Sequence, residues 1–272
     1  MRKTIFVLLD ACQYEAGTRN LGYLEHLIDY GKGAKYKVRG ELPSLSRPMY
    51  ATLLTGVPAY IHGIAANETV RTLQCENVFS MCQENGGTTA AAAYLWVSEL
   101  YNRAPFWPER DRIQIHTGGS IDAGIYYWAD EYPDSHLFAD GEYLRKQYDP
   151  DFILYHSMGI DYQGHLEGAG SRKYEEAIGS AGVILSLLLE DWMKEGYQIV
   201  ITADHGMNGL GLHGGTEADQ RDTPLYIFSS EVKAGRFEEE YISELNVAPL
   251  LCYLLGIPAA EAMIDLTEII RA

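Results

Sequence analysis

The chain has 272 residues, 47% of them hydrophobic, enough apolar surface for one large core or two small ones. Its 38 acidic against 21 basic residues leave a formal net charge of −17, which disfavours nucleic-acid polymers and anionic membranes as partners. A small anion in a cleft stays compatible with that charge, because bound cations reverse the local potential.

The first apolar run, TIFVLL at 4–9, is too short for the apolar region of a signal peptide, and no stretch approaches the roughly 18 apolar residues of a spanning helix. It is predicted as a buried first strand closed by Asp10. The four cysteines form no CxxC pair, so reduced thiols and a cytoplasmic location are expected.

The stretch ELPSLSRPMYATLLTG (41–56) predicts a helix that has Pro48 in its opening turn, runs through Met49 to Leu54 and is ended by Gly56. Ser46 then falls at the N-cap. Free amides and the helix dipole at that end favour negative charge, which suits a serine alkoxide or a phosphate oxygen, and Ser46 is a candidate nucleophile. The plainer reading is that Ser44 or Ser46 merely caps the helix.

His62, in YIHGI, reads as support behind that helix. The region 102–135, rich in aromatics and prolines and without a clear period, is predicted as a cap insertion; an aromatic-rich packing region is the alternative. Trp96, Trp107, Tyr126 and Trp128 could stack on a base or aryl group, or simply pack.

Beyond it, DFILYH, YQIVITA and PLYIFS read as strands buried on both faces, as in parallel sheets. Between the first two of these, Tyr174, Ile178, Ala181, Ile184, Leu185 and Leu188 recur at helical spacing, with Gly196 at the probable C-cap. Strand, helix and strand make a crossover unit. With no internal repeat or linker, the expectation is a single α/β domain over 1–272 with a mostly parallel central sheet flanked by helices.

Polar residues gather where these strands end. Asp10 closes the first, Asp161 and His165 follow DFILYH in GIDYQGH, and Asp204, His205 and His213 follow YQIVITA in ADHGMNGLGLHGG. Singly, an Asp after a strand is an ordinary cap and a His an ordinary packed residue. Together, three carboxylates and three imidazoles on one sheet edge point to divalent metal, with zinc first and manganese or iron as alternatives. Six ligands exceed the usual three of one catalytic zinc, and suit two ions about 3.5–4 Å apart that clamp the oxygens of an in-line phosphoryl displacement. Neither a GxSxG elbow nor a Walker P-loop is present, which argues against a Ser-His-Asp hydrolase and against nucleotide-driven phosphoryl transfer of that type.

The ordered segments PSLSRPMYATLLTG, HSMGIDYQGH and ADHGMNGLGLHGG resemble the alkaline phosphatase superfamily. More narrowly they are similar to its type I phosphodiesterase/nucleotide pyrophosphatase branch, which includes phosphotransferases that add ethanolamine phosphate to glycolipid anchors. The resemblance implies one zinc held by Asp10, Ser46, Asp204 and His205 and a second held by Asp161, His165 and His213, with Ser46 forming a phosphoseryl intermediate. It also implies an asparagine three residues after the nucleophile, where this chain has Met49, so nucleotide specificity does not carry over. Arg47 or Asn67 is the candidate for that phosphoryl-oxygen contact, Arg47 reading equally as a solvated helix-start charge. His156, five before Asp161, is a candidate donor behind a ligand carboxylate, or a packed core histidine. The expected substrate is a small phosphodiester, with a phosphomonoester or phosphonate, or a non-catalytic metal-binding role, as alternatives.

Overall fold

A computed structural model of the chain describes residues 1–264. Among them are nine strands, β1 (Thr4–Leu9), β2 (Ala34–Arg39), β3 (Thr89–Tyr94), β4 (Ile113–Ile115), β5 (Ala123–Tyr127), β6 (Phe152–Ser157), β7 (Gln198–Thr202), β8 (Asp222–Phe228) and β9 (Gly235–Ser243). They form one sheet in the order β4-β5-β3-β6-β1-β7-β8-β2-β9. From β5 to β7 all neighbours are parallel, and helices cover both faces. β1 lies between β6 and β7, the three strands whose ends carry the acidic and histidine residues.

β8 corrects one expectation. It is buried on both faces, as its apolar run predicts, but pairs antiparallel to both β7 and β2. An apolar run reports burial on two faces and says nothing of direction. Direction here follows from the connection: between β7 and β8 stands only one short helix, Ala218–Arg221, rather than a full crossover helix.

The segment 102–135 is also corrected in part. It supplies β4 and β5, which extend the main sheet beyond β3, so this portion is sheet edge rather than a separate cap. Tyr126 is wholly buried and packs, while Trp107 and Trp128 stay exposed. β3, TAAAAY, was not anticipated. Its alanines favour helix by intrinsic propensity, yet six consecutive buried positions leave room only for small side chains between helices.

Two helices back the strands whose ends carry the acidic and histidine residues. The long helix Arg172–Lys194 buries Tyr174, Ile178, Ala181 and Leu185 of the predicted stripe together with Leu189 and Trp192, while Ile184 and Leu188 are only partly buried, and Gly196 follows its end at φ 83°. Beside it runs the helix Asp134–Tyr148, where Glu142 Oε1 accepts from both Tyr155 Oη of β6 (2.9 Å) and Trp192 Nε1 (2.8 Å). That carboxylate ties both helices to the strand. No helix among the described residues is long and apolar enough to cross a membrane, and the four cysteines are free thiols.

The close approach of the helix Asp134–Tyr148 to β6 depends on Gly141, where a Cβ would lie 2.1 Å from Tyr155 Cε1. Gly141→Ala is therefore expected to lower the unfolding free energy by about 1–3 kcal/mol, the usual cost of overpacking. The urea midpoint measures it, and an unchanged midpoint would contradict the contact.

Candidate metal centre

Parallel β6, β1 and β7 deliver their C-terminal ends side by side, so Asp10, Asp161, Asp204 and His205 meet although up to 195 residues separate them in sequence. Asp10, Asp204 and His205 are wholly buried and Asp161 is 7% exposed. Two groupings have ligand atoms within 4.8 Å of one another: Asp10, Asp204 and His205, and Asp161, His205 and His213. His205 is common to both. His165 joins the second, its Nε2 3.4 Å from Asp161 Oδ1 and 3.3 Å from His213 Nε2. The six aspartate and histidine positions expected from sequence thus come together, with His205 shared between the two halves.

Each carboxylate keeps one oxygen for the cluster. Asp204 Oδ1 accepts the Ala11 amide (3.1 Å), while Asp204 Oδ2, Asp10 Oδ1 and Asp161 Oδ1 are buried without a hydrogen-bond partner. Orphaned buried carboxylate oxygens are costly unless a cation answers them. Ala11 holds its place at φ 58°, a conformation non-glycine residues rarely adopt, with its carbonyl accepting from Tyr174 Oη (2.6 Å).

The histidines carry a matching signature. His205 Nδ1 faces Gly206 O (2.8 Å), His165 Nδ1 faces Gly211 O (2.9 Å) and His213 Nδ1 faces Ser44 O (3.1 Å). A carbonyl only accepts, so each Nδ1 carries the proton and each Nε2 turns a lone pair inward. Metal-ligating histidines are oriented in this way. His165 Nε2 and His213 Nε2, 3.3 Å apart, are then two lone pairs facing each other, which a cation relieves. Gly211, at φ 73°, lets the ligand loop close on the helix Gly159–Glu167, where a Cβ would stand 2.8 Å from Gly164 O.

Burial works against charge throughout. It pushes Asp10 and Asp161 well above the usual carboxylate range, helped by the negative charge of Asp204 on each, and raises Asp204 to about 6. The same burial lowers His205 and His213 to about 3, keeping both imidazoles neutral and able to ligate. The donor set of carboxylate oxygens and neutral Nε2 atoms fits zinc, manganese or iron.

Ser46 is the first helical residue of Ser46–Thr55, behind Leu45 at the N-cap, so the expected capping role is corrected. Its Oγ donates instead to His205 Nε2 at 3.0 Å, which places it on the ligand shared by both halves. Pro48 costs no hydrogen bond there, because first-turn amides lack helical partners. Gly56 ends the helix in the left-handed conformation, as predicted.

Arg47 is 2% exposed, paired with Glu99 at 2.7 Å and packed over the Trp96 ring, so it is neither a solvated charge nor free for a ligand. Asn67 Oδ1 accepts the Arg47 amide (3.0 Å), and its Nδ2 group has no protein partner among the described residues. Met49 is fully buried in the helix. His156 Nε2 sits 3.0 Å from Asp10 Oδ2, behind the ligand carboxylate rather than within the cluster. His62 bonds Thr52 Oγ1 (3.1 Å) and supports the Ser46 helix.

Comparison with known proteins bears on the family and the fold. The family model for type I phosphodiesterase/nucleotide pyrophosphatase matches residues 4–215. Human GPI ethanolamine phosphate transferase 2, catalytic subunit, is 22% identical over 94% of this chain, and its Schizosaccharomyces pombe counterpart 19% identical over 94%. This chain spans 26% and 36% of those two proteins. Murine ectonucleotide pyrophosphatase/phosphodiesterase 5, solved in an inactive form in complex with AMP, shares the fold with a TM-score of 0.76 at 15% identity, covering 97% of this chain and 98% of that one. Phosphonate monoester hydrolase from Silicibacter pomeroyi shares it with a TM-score of 0.68 at 13% identity, over 100% of this chain and 77% of that one.

Burial favours the protonated form of these carboxylates, so a metal that binds them has protons to displace as pH falls toward the Asp204 value of about 6. Zinc added to metal-free protein is expected to release protons near pH 6 and to bind more tightly as pH rises through the Asp204 value of about 6. Isothermal titration in two buffers of different ionisation enthalpy reads this directly; pH-independent affinity without proton release would contradict it.

Proposed function

The chain belongs to the type I phosphodiesterase/nucleotide pyrophosphatase family, and on that premise we propose that it is a metal-dependent phosphoesterase that cleaves small phosphodiesters through Ser46. The observation that carries the reading is Ser46 Oγ, seated at a helix N-terminus and 3.0 Å from the imidazole shared by both ligand groups. One zinc held by Asp10, Ser46, Asp204 and His205 and another by Asp161, His165 and His213 would supply Lewis-acid charge opposite the attacking and leaving oxygens.

Ser46 Oγ forms a bond to phosphorus as the bond to the leaving alcohol breaks, and the alcohol takes up the serine proton through solvent. Water then displaces Ser46 from the phosphoserine, so a diester and a water become a monoester and an alcohol. Of the first-turn amides, that of Arg47 is held by Asn67 Oδ1, Pro48 has none and that of Met49 bonds Leu45 O, so the Ser46 amide and the helix dipole are what would meet the negative charge that develops.

Substrate charge follows from the neighbours. Arg47, the basic side chain next to Ser46, is committed to Glu99 and cannot answer the second charge of a monoester dianion. A singly charged diester, or a phosphonate ester, suits the site better. Asn67, whose Oδ1 accepts the Arg47 amide and whose Nδ2 has no protein partner among the described residues, is our candidate donor to a phosphoryl oxygen, the role for which Met49 lacks a donor. A second reading rests on the relatives named as ethanolamine phosphate transferases: an acceptor hydroxyl would replace water in the second displacement, with Ser46 acting identically.

With zinc-loaded protein, an aryl phosphodiester is expected to turn over faster than the matched monoester, and Ser46→Ala to abolish both while the fold persists. Full activity in Ser46→Ala would exclude the covalent route. Asn67→Ala should lower kcat by about 10²–10³-fold, as loss of an oxyanion donor does; a kinetic profile matching wild type would remove Asn67 from the site.

A further inference from the structure

Asp10 is held by two donors, and one of them lies on the nucleophile helix. Tyr50 Oη donates to Asp10 Oδ2, and His156 Nε2 meets the same oxygen at 3.0 Å. His156 is compelled to donate there, because its Nδ1 accepts the Tyr94 backbone amide (3.3 Å) and so leaves the ring proton on Nε2. This tautomer is opposite to that of His165, His205 and His213. With Oδ2 occupied twice, Oδ1 alone points into the ligand cluster, 3.5 Å from His205 Nε2 and without a hydrogen bond.

Tyr50 is itself fixed from several sides. It is 1% exposed, its ring meets the His156 ring edge-on at 4.6 Å, and its carbonyl accepts from Tyr101 Oη at 2.8 Å. It follows Ser46 by four residues in the same helix, so both side chains lie on one face. The rigid helical turn therefore links the serine oxygen to the carboxylate of Asp10.

We propose that Tyr50, together with His156, is a positioning residue that restricts Asp10 to single-oxygen metal ligation and sets metal affinity in the Asp10/Asp204/His205 half of the site. The inference rests on the reading of Asp10 as a metal ligand. Tyr50→Phe keeps the ring and its packing and removes only the hydroxyl donor. His156→Leu removes the second donor, whereas His156→Gln keeps an N–H at the same reach.

The experiment measures zinc dissociation constants of the full chain by competition with a chromophoric chelator, alongside thermal melts of each metal-free variant. Tyr50→Phe and His156→Leu are each expected to weaken one of the two zinc equivalents by about 10–100-fold, the usual effect of losing a partner behind a ligand, and to leave the other unchanged. His156→Gln should recover most of the affinity, and excess zinc should restore kcat in Tyr50→Phe with KM for the aryl diester unaltered. A purely structural role would lower the melting temperature and move neither dissociation constant. That result, or equal weakening of both equivalents, overturns the proposal. Should Tyr50→Phe fail to fold, the contrast between His156→Leu and His156→Gln decides. Asp10→Asn separates the two levels: if it binds both equivalents like the wild type, the ligand reading itself falls, whereas loss of one equivalent in Asp10→Asn with none in Tyr50→Phe removes only the positioning role.

Discussion

Three aspartates buried against one another govern this molecule. Asp10, Asp161 and Asp204 converge where water is nearly excluded, each with an oxygen that no hydrogen bond satisfies. Such a cluster repels itself and resists ionisation, so a fold keeps it only when positive charge completes it or when surrounding donors restrain it. The restraining donors are visible in the chain, and the inner atoms form a set that a cation would complete. The amide of Ala11, the hydroxyl of Tyr50 and the ring of His156 take up the outer oxygens, and neutral imidazole lone pairs join the inner ones.

The rest of the architecture serves to bring those groups together. Burying β1 between β6 and β7 puts the three strand ends within a few ångströms, and parallel direction points all three the same way. Ligands outside the strand ends are the general consequence of such a sheet. The Ser46 helix, every residue of which is buried, then brings Ser46 against His205 and Tyr50 against Asp10 in one rigid element. Hydroxyl, carboxylate and imidazole are thereby registered through backbone geometry instead of flexible side chains.

Charge is handled by pairing inside and by excess outside. Arg47 and Glu99 neutralise each other beside the site, and Lys35 is buried between Glu25 and Glu238 at 2.8 and 2.7 Å. The net charge of −17 lies over the chain as a whole. Under the proposed function a phosphoester would approach a negative protein, its attraction coming from the helix N-terminus and from a metal held by the ligand set.

Much of this was legible from local pattern. Apolar runs that stop at Asp or His marked β1, β6 and β7 and the residues beyond them, the helical period marked the Arg172–Lys194 helix, and Pro48 and Gly56 bracketed the Ser46 helix. These signals need only a few neighbouring residues, since strand burial, helix period and caps are short-range properties. The alanine strand β3, the antiparallel direction of β8 and the placement of 102–135 at the sheet edge were not legible, because composition reports burial but neither partner nor direction. Which oxygen of Asp10 faces inward, which nitrogen of each histidine holds its proton, that Arg47 is consumed by Glu99, and that Tyr50 stands behind a ligand were decided by tertiary structure alone. Each depends on distances between elements far apart in the chain, and a one-dimensional pattern carries no record of them.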